Sequence, residues 1–340
     1  MKRRLLFWIL VAAFVAIVLT HLTSIEELGK TLAGGRWEWV VVAAALQLVR
    51  YLIFAVLYWS SFDIVGVRSR IVELLPVVFA SVFVNVAAPV AGVGGLALFV
   101  DDAARRAESA ARASAGTLLV LVADYSVFAL LLPSSLTFLF LRGDLKAYEV
   151  VSAILLLLFI SGLTGMLVLG FWQPGWVHRL FGWGQRATNR VAGWLRRPAL
   201  LAEDWAARNA TEFNAAASAV TAYPRRLART VGVVWAMWSV NIASLYALFL
   251  AFYHPIGLGV LVAGFALGTL FWILAITPQG VGVVEGVMVL VYTSLGIPAA
   301  QATVIVLAFR GLSVWLPLVI GFLVLRRIRS FRDREAEGET

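Results

Sequence analysis

The chain has 340 residues, 61% of them hydrophobic and only 14% charged, with a formal charge of +9. Soluble domains carry about a quarter charged residues, so these proportions and a mean hydropathy of +0.90 exclude an ordinary soluble enzyme. Zero cysteines exclude disulfides, thiolate chemistry and Cys-ligated metals, and His21, His178 and His254 stand too far apart in sequence to suggest a His-rich metal or haem site.

In chain order, Met1-Lys2-Arg3-Arg4 precedes an apolar run from Leu5 to Leu22. The run is long for a signal peptide and no small-x-small site ends it, so we expect an uncleaved first span entering from the inside. Further membrane-length segments lie near 38–62, 113–141, 149–171, 228–251 and 300–325. Two other apolar regions are interrupted by proline and clustered glycine. Leu74 to Val100 contains Asn85, Pro89, Gly92, Gly94 and Gly95, and Gly257 to Gly296 is broken at Thr277-Pro278-Gln279-Gly280-Val281-Gly282. Backbone freed from a helix at membrane depth must face protein or a water-filled cavity, which makes both breaks candidate cavity linings.

The pattern predicts an all-α, polytopic helical membrane protein with about six full spans and two broken re-entrant hairpins. With that count, the arginine-rich stretch 172–227 and both termini fall on one side, leaving only Lys30, Arg36, Arg142 and Lys146 outside. That is a positive-inside arrangement. Charge counting does not separate a re-entrant 257–296 from one that crosses twice. The order suggests one transmembrane domain over 1–340, built as an inverted repeat. Its halves are 1–171 and 228–325, joined by the basic amphipathic connector 172–227 and followed by a tail, 326–340. Within the connector, Ala199 to Val220 reads as an interfacial helix among tryptophans and arginines, or as a solvated linker.

Ionisable residues inside apolar runs are costly, and four occur: Arg50, Asp124, Glu285 and Arg310. One reading pairs Arg50 with Asp124 and Arg310 with Glu285. The other has the arginines hold an anionic headgroup while the carboxylates orient them. Glu285 sits just after the second break, where free amides of a new helix favour a carboxylate or a phosphate. The candidate substrate-binding or cavity residues are therefore Arg50, Asn85, Pro89, Gly92, Gly94, Asp124, Pro278, Gln279, Gly280, Gly282, Glu285 and Arg310. No G-x-x-x-x-G-K-[ST] motif or catalytic constellation is present, and no metal or cofactor is expected.

Asn85-x-x-x-Pro89 with Gly92, Gly94 and Gly95, the run Thr277 to Glu285, then Gly296-Ile297-Pro298, Arg310 and Trp315-Leu316-Pro317 together resemble the lysylphosphatidylglycerol-synthase transmembrane or flippase-like family. The resemblance covers most of 35–325. It implies an integral-membrane lipid transporter with paired re-entrant elements. It departs from the family at Gly95, where an acidic residue is usual, and beside Asp124, where an arginine is often found. The chain runs only fifteen residues from Arg326, so a soluble aminoacyl-transfer domain and synthase activity are not expected.

The expected function is transbilayer movement of an amphipathic lipid, anionic or of isoprenoid or glycolipid type, in a bacterial inner membrane. The partners implied are that lipid and an envelope-lipid biosynthesis enzyme, with no nucleic acid. The competing readings are a non-transporting lipid-binding partner of such an enzyme, and a small-solute or ion transporter.

Overall fold

A computed structural model describes residues 34–87, 93–172, 174–194, 202, 204–253, 255–275 and 278–324. The first span, the tail 326–340, Pro89 and Gly92 lie outside the described residues. The described residues contain no strand. They form α1 (Trp37–Val65), α2 (Ile71–Ala87), α3 (Val93–Arg105), α4 (Ala110–Arg142), α5 (Ala147–Trp172) and α6 (Pro174–Trp194). After these come α7 (Trp205–Ala222), α8 (Pro224–Phe252), α9 (Leu258–Leu274), a 3-10 turn (Pro278–Gly280) and α10 (Val283–Ser294). The described chain ends with α11 (Ala299–Arg310), a π-turn (Gly311–Trp315) and α12 (Leu316–Val324).

Five stretches are long and apolar enough to cross a membrane: Trp37–Val65, Ala110–Arg142, Ala147–Gly165, Pro224–Phe252 and Ala299–Leu323. They coincide with the five long segments read from the sequence after the first span, and the molecule is a polytopic helical membrane protein. Local chemistry fixes several ends. Gly66 terminates α1 at φ 75°, its N–H returning to Phe62 O, and Gly143 terminates α4 in the same way at φ 73°. Ser109 starts α4 by accepting from the Arg112 N–H at 3.2 Å.

The centre of the fold is the antiparallel pair α1 and α8. Arg36 Nε donates to Leu250 O at 2.9 Å at one end, and Arg229 Nη2 meets Asp63 Oδ2 at 2.8 Å at the other. Between them Gln47 Nε2 donates to Asn241 Oδ1 (3.0 Å) and Ser244 Oγ (3.1 Å), and Thr230 Oγ1 donates to Ser60 Oγ (3.1 Å). Lipid tails are as apolar as leucine, so burial alone gives helices in a membrane little reason to associate. Interhelical polar bonds and close backbone approach decide which faces meet. Gly116 of α4 serves the second purpose: a Cβ there would stand 2.8 Å from Phe62 Cδ1, and its carbonyl accepts from Ser61 Oγ at 2.7 Å.

Two helical hairpins enter this frame from opposite ends. α2 and α3 both have their outer ends beside the C-terminus of α1, where Arg106 bonds Asp102 (3.0 Å), the Arg68 carbonyl (2.6 Å) and, at 3.7 Å, Glu73. α9 and α10 have their outer ends beside the N-terminus of α1, because α9 follows the end of α8 that Arg36 clasps. Tyr292 Oη donates to Leu261 O at 3.1 Å, and Gly264 and Gly268 let α10 lie close, against Tyr292 and Met288. At about 1.5 Å per residue, α2 and α9 are about 25 Å long, short of a full apolar thickness of about 30 Å. The turn after α9 packs against α2, so the inner ends of the two hairpins meet mid-bundle. The sequence long helix, hairpin, long helix occurs twice, as α1 to α4 and α8 to α12, with α1 and α8 antiparallel.

The connector differs from the sequence expectation in what its helices touch. The expected helix over 199–220 is α7, Trp205–Ala222, and it buries Ala206, Ala210, Phe213, Ala216 and Ala217 in a face packed against α1, α4, α5 and α6. Ser109 Oγ donates to Glu212 on the same helix. Of the connector's exposed tryptophans, Trp172 ends α5, and Trp176 and Trp183 stand out from α6 beside Arg179, Arg186 and Arg190.

Candidate functional site

The second break is a tight turn held by its own polar groups. Gln279, Gly280 and Gly282 all have positive φ (53°, 66° and 86°), so the chain reverses within five residues. At Gly280 a side chain is excluded twice, by φ and by Val284 Cγ2, which would lie 2.6 Å from a Cβ. Trp272 Nε1 donates to Gln279 Oε1 at 3.1 Å and fixes the turn to α9. Glu285, in the first turn of α10, accepts the Gly282 N–H through Oε2 at 2.7 Å. Its other oxygen, Oε1, accepts from Arg310 Nε at 2.6 Å, and Arg310 Nη2 donates to the Gln279 carbonyl at 2.6 Å. Arg310 is only 7% exposed, so the pair is shielded and its guanidinium is committed to bracing the turn.

The inner end of the first hairpin uses an asparagine instead. Asn85 Oδ1 accepts the Gly95 N–H at 2.7 Å and supplies one of the missing acceptors at the start of α3. A Cβ on residue 95 would stand 2.6 Å from Asn85 Nδ2 and 2.7 Å from the Ser81 carbonyl. Any larger residue, including the acid the family resemblance leads one to expect here, would push the hairpin apart.

Between the two inner ends lies a cavity of about 160 Å³. The cavity is walled by α1, α2, α3, α4, α8, α9, α10 and α11 together with the 3-10 and π-turns. Five of the sequence candidates reach it: Arg50, Asn85, Asp124, Gln279 and Arg310. The rest are placed otherwise. Glu285 stands behind Arg310, Pro278 begins the turn, Gly280 and Gly282 shape it, and Gly94 lies in the first turn of α3. Pro89 and Gly92 are outside the described residues.

The two arginines are not equivalent. Arg310 is ion-paired, whereas Arg50 has no carboxylate within ion-pair distance among the described residues. Arg50 instead lies with its guanidinium carbon 4.9 Å from the Tyr51 ring centroid, and Asp124 is within its electrostatic reach without touching it. Guanidinium over an aromatic face keeps its in-plane N–H groups available. The cavity thus contains one braced cation and one whose donors are open to an anion.

Sequence reasoning missed several lining residues, among them Tyr51, Tyr58, Trp238, Asn241, Trp272 and Ser313. Asn241 carries a signal that could have found it, being a polar amide inside an apolar span. The aromatic residues carry none, since tyrosine and tryptophan occur throughout such helices and only packing selects which ring faces the cavity.

The family model described as the lysylphosphatidylglycerol synthase TM region matches residues 5–321, nearly the whole chain, so the protein belongs to that family. It is also similar to a UPF0104 membrane protein of Methanothermobacter thermautotrophicus, 28% identical over 91 residues. That match covers 27% of this chain and 27% of the relative's length.

Proposed function

We propose that this member of the lysylphosphatidylglycerol synthase TM region family carries an amphipathic lipid across the bilayer. The headgroup passes through the cavity between the hairpins while the acyl chains stay in the membrane. The observation that carries this reading is Arg50, a cation without an ion pair among the described residues, beside a cavity where two hairpins from opposite ends meet. A half-buried guanidinium inside a membrane span is costly unless something anionic visits it. A phosphodiester is the anionic group an amphipathic lipid brings to that depth.

The same reading assigns the membrane sides. The end bearing Arg68, Arg70, Arg105, Arg106, Arg225, Arg226 and Arg229 is cytoplasmic, and the first hairpin opens there as a re-entrant element. The second opens from the outer side. Alternating access then requires each hairpin to move against the α1–α8 pair in turn, as in other inverted-repeat carriers.

Reconstitution tests the reading. Liposomes holding the folded protein and tail-labelled lipids of anionic, zwitterionic and glycosylated headgroups should lose more of their total fluorescence to a membrane-impermeant quencher than the about one half that protein-free vesicles lose. Equal behaviour with and without protein, for every lipid, would overturn it.

A further inference from the structure

The outer face of α6 combines aromatic and basic groups that the bundle does not use. Trp176, Leu180 and Trp183 are 52%, 43% and 66% exposed, and Arg179, Arg186 and Arg190 are exposed beside them. At about 100° per residue, Trp176, Leu180, Trp183 and Ala187 form one stripe, and Arg179, Arg186 and Arg190 follow a single flank of it. None of these arginines has an ion pair among the described residues; Arg186 Nε donates to the Gly182 carbonyl of its own helix at 3.1 Å. The surrounding sequence supplies no anion either, since residues 150–202 hold five arginines and no aspartate or glutamate.

The opposite face fixes α6 in place. Phe181 packs on Trp205 and Phe213 of α7, with ring centroids 5.7 and 6.0 Å apart. Gln185 Nε2 donates to the Ala202 carbonyl at 2.6 Å, and Gln185 Oε1 accepts the Ala206 N–H at 3.3 Å. These contacts leave the outer stripe no freedom to turn inward.

Depth in the membrane selects what meets that stripe. Trp176, Leu180 and Phe181 lie with Gly162 and Gly165 of α5 around an apolar crevice of about 200 Å³. α5 starts after the polar loop 143–146, and Gly162 and Gly165 stand about 22–27 Å along it, near a full apolar thickness of about 30 Å. α6 therefore lies at the level where acyl chains give way to headgroups, at the end of the bundle where Ser109 meets Glu212. At that level tryptophan is well seated, and arginine reaches phosphate by extending its apolar stem.

We infer that α6 is an interfacial helix whose partner is an anionic lipid leaflet. Trp176, Leu180 and Trp183 insert among the acyl chains, and Arg179, Arg186 and Arg190 hold phosphates. Charge complementarity sets the preference: tryptophans enter any bilayer, whereas each arginine near a membrane surface strengthens attachment to an anionic one about five-fold. No residue of α6 lines the central cavity, so the leaflet contact does not rest on lipid passage through it. The contact anchors the connector between the two halves, since α6 holds α7 and α7 packs on α1, α4 and α5.

The test uses the full-length protein in phosphatidylcholine nanodiscs with a trace of tail-labelled acceptor lipid, either phosphatidylserine or phosphatidylcholine. The chain has no native cysteine, so Ala187→Cys carries a donor dye on the stripe without removing an anchor, and His178→Cys carries it on the opposite side. Energy transfer from position 187 should report phosphatidylserine enriched about five-fold or more over phosphatidylcholine. Combining Arg179→Gln, Arg186→Gln and Arg190→Gln should bring the two lipids to parity. These side chains are exposed, so folding should be retained, and thermal unfolding in detergent checks that it is. The dye at position 187 should be quenched by lipid spin-labelled on its tail and shielded from aqueous iodide, with the reverse at position 178. Equal transfer to the two lipids, an enrichment that survives the triple substitution, or a dye at position 187 as open to iodide as at 178 would overturn the inference and leave the stripe to a protein partner.

Discussion

The Tyr51 hydroxyl donates to the Ser313 carbonyl at 2.8 Å, across 262 residues of sequence. In a regular helix that carbonyl would accept the N–H of residue 317, which is proline and has none. The π-turn Gly311–Trp315, closed by the Leu316 N–H on Gly311 O, sits at the same place and directly follows Arg310. One tyrosine of α1 thus completes a helix defect that places Arg310 and Ser313 on the cavity wall.

Tyr51→Phe should lower stability by about 1–2 kcal/mol, the cost of a buried carbonyl left unpaired. The same substitution in a Pro317→Ala background should cost much less, because alanine returns the N–H. Thermal unfolding of the four proteins in one detergent measures this cycle; equal costs in both backgrounds would show that the carbonyl does not depend on Tyr51.

Glu285 and Arg310 should be strongly coupled. Breaking one side of a shielded pair leaves the other charge buried, and residues sharing a network show interaction energies of about 0.5–3 kcal/mol. Glu285→Gln keeps an oxygen for the Gly282 N–H but loses the charge and the oxygen that accepts from Arg310, whereas Glu285→Ala loses both contacts, so the glutamine should destabilise less. A double-mutant cycle of Glu285→Gln with Arg310→Gln reads the coupling, and additive losses would contradict the brace.

Glycines of the second hairpin should divide by geometry. Gly280→Ala places a Cβ at φ 66° and 2.6 Å from Val284 Cγ2, and should cost about 1–3 kcal/mol. Gly286→Ala lies inside α10 with nothing within 4 Å of its Cβ, and should be neutral or stabilise by up to about 1 kcal/mol. Unfolding temperatures of the two variants check the contrast, and similar losses would refute this account of the turn.

Arg50→Gln should separate function from folding. With no ion pair to lose among the described residues, it should change stability by no more than about 1 kcal/mol, the worth of its contact with the Tyr51 ring. Headgroup translocation should nevertheless fall by at least about ten-fold, since a desolvated charge contact is removed. Transport at the wild-type rate would remove Arg50 from the pathway.

Composition and spacing alone determined that this chain lives in a membrane, where its long helices run and where two of them break. Apolar runs of about 20 residues have few other stable settings, and a Pro-Gln-Gly-Val-Gly run cannot continue a helix. The nearness of Glu285 to the second break was legible for the same local reason, since free amides at a helix start attract a carboxylate. Only the tertiary structure decided that Arg310 braces this turn while Arg50 lacks an ion pair among the described residues, and that Tyr58, Asp124 and Trp238 line one cavity. Helices that are apolar all round carry no stripe to say which side turns inward. Their rotations were set by side-chain bonds such as Gln47 to Asn241 and by close approaches such as Gly116 to Phe62. These partners lie far apart in the chain, and the bilayer itself does not distinguish one apolar face from another.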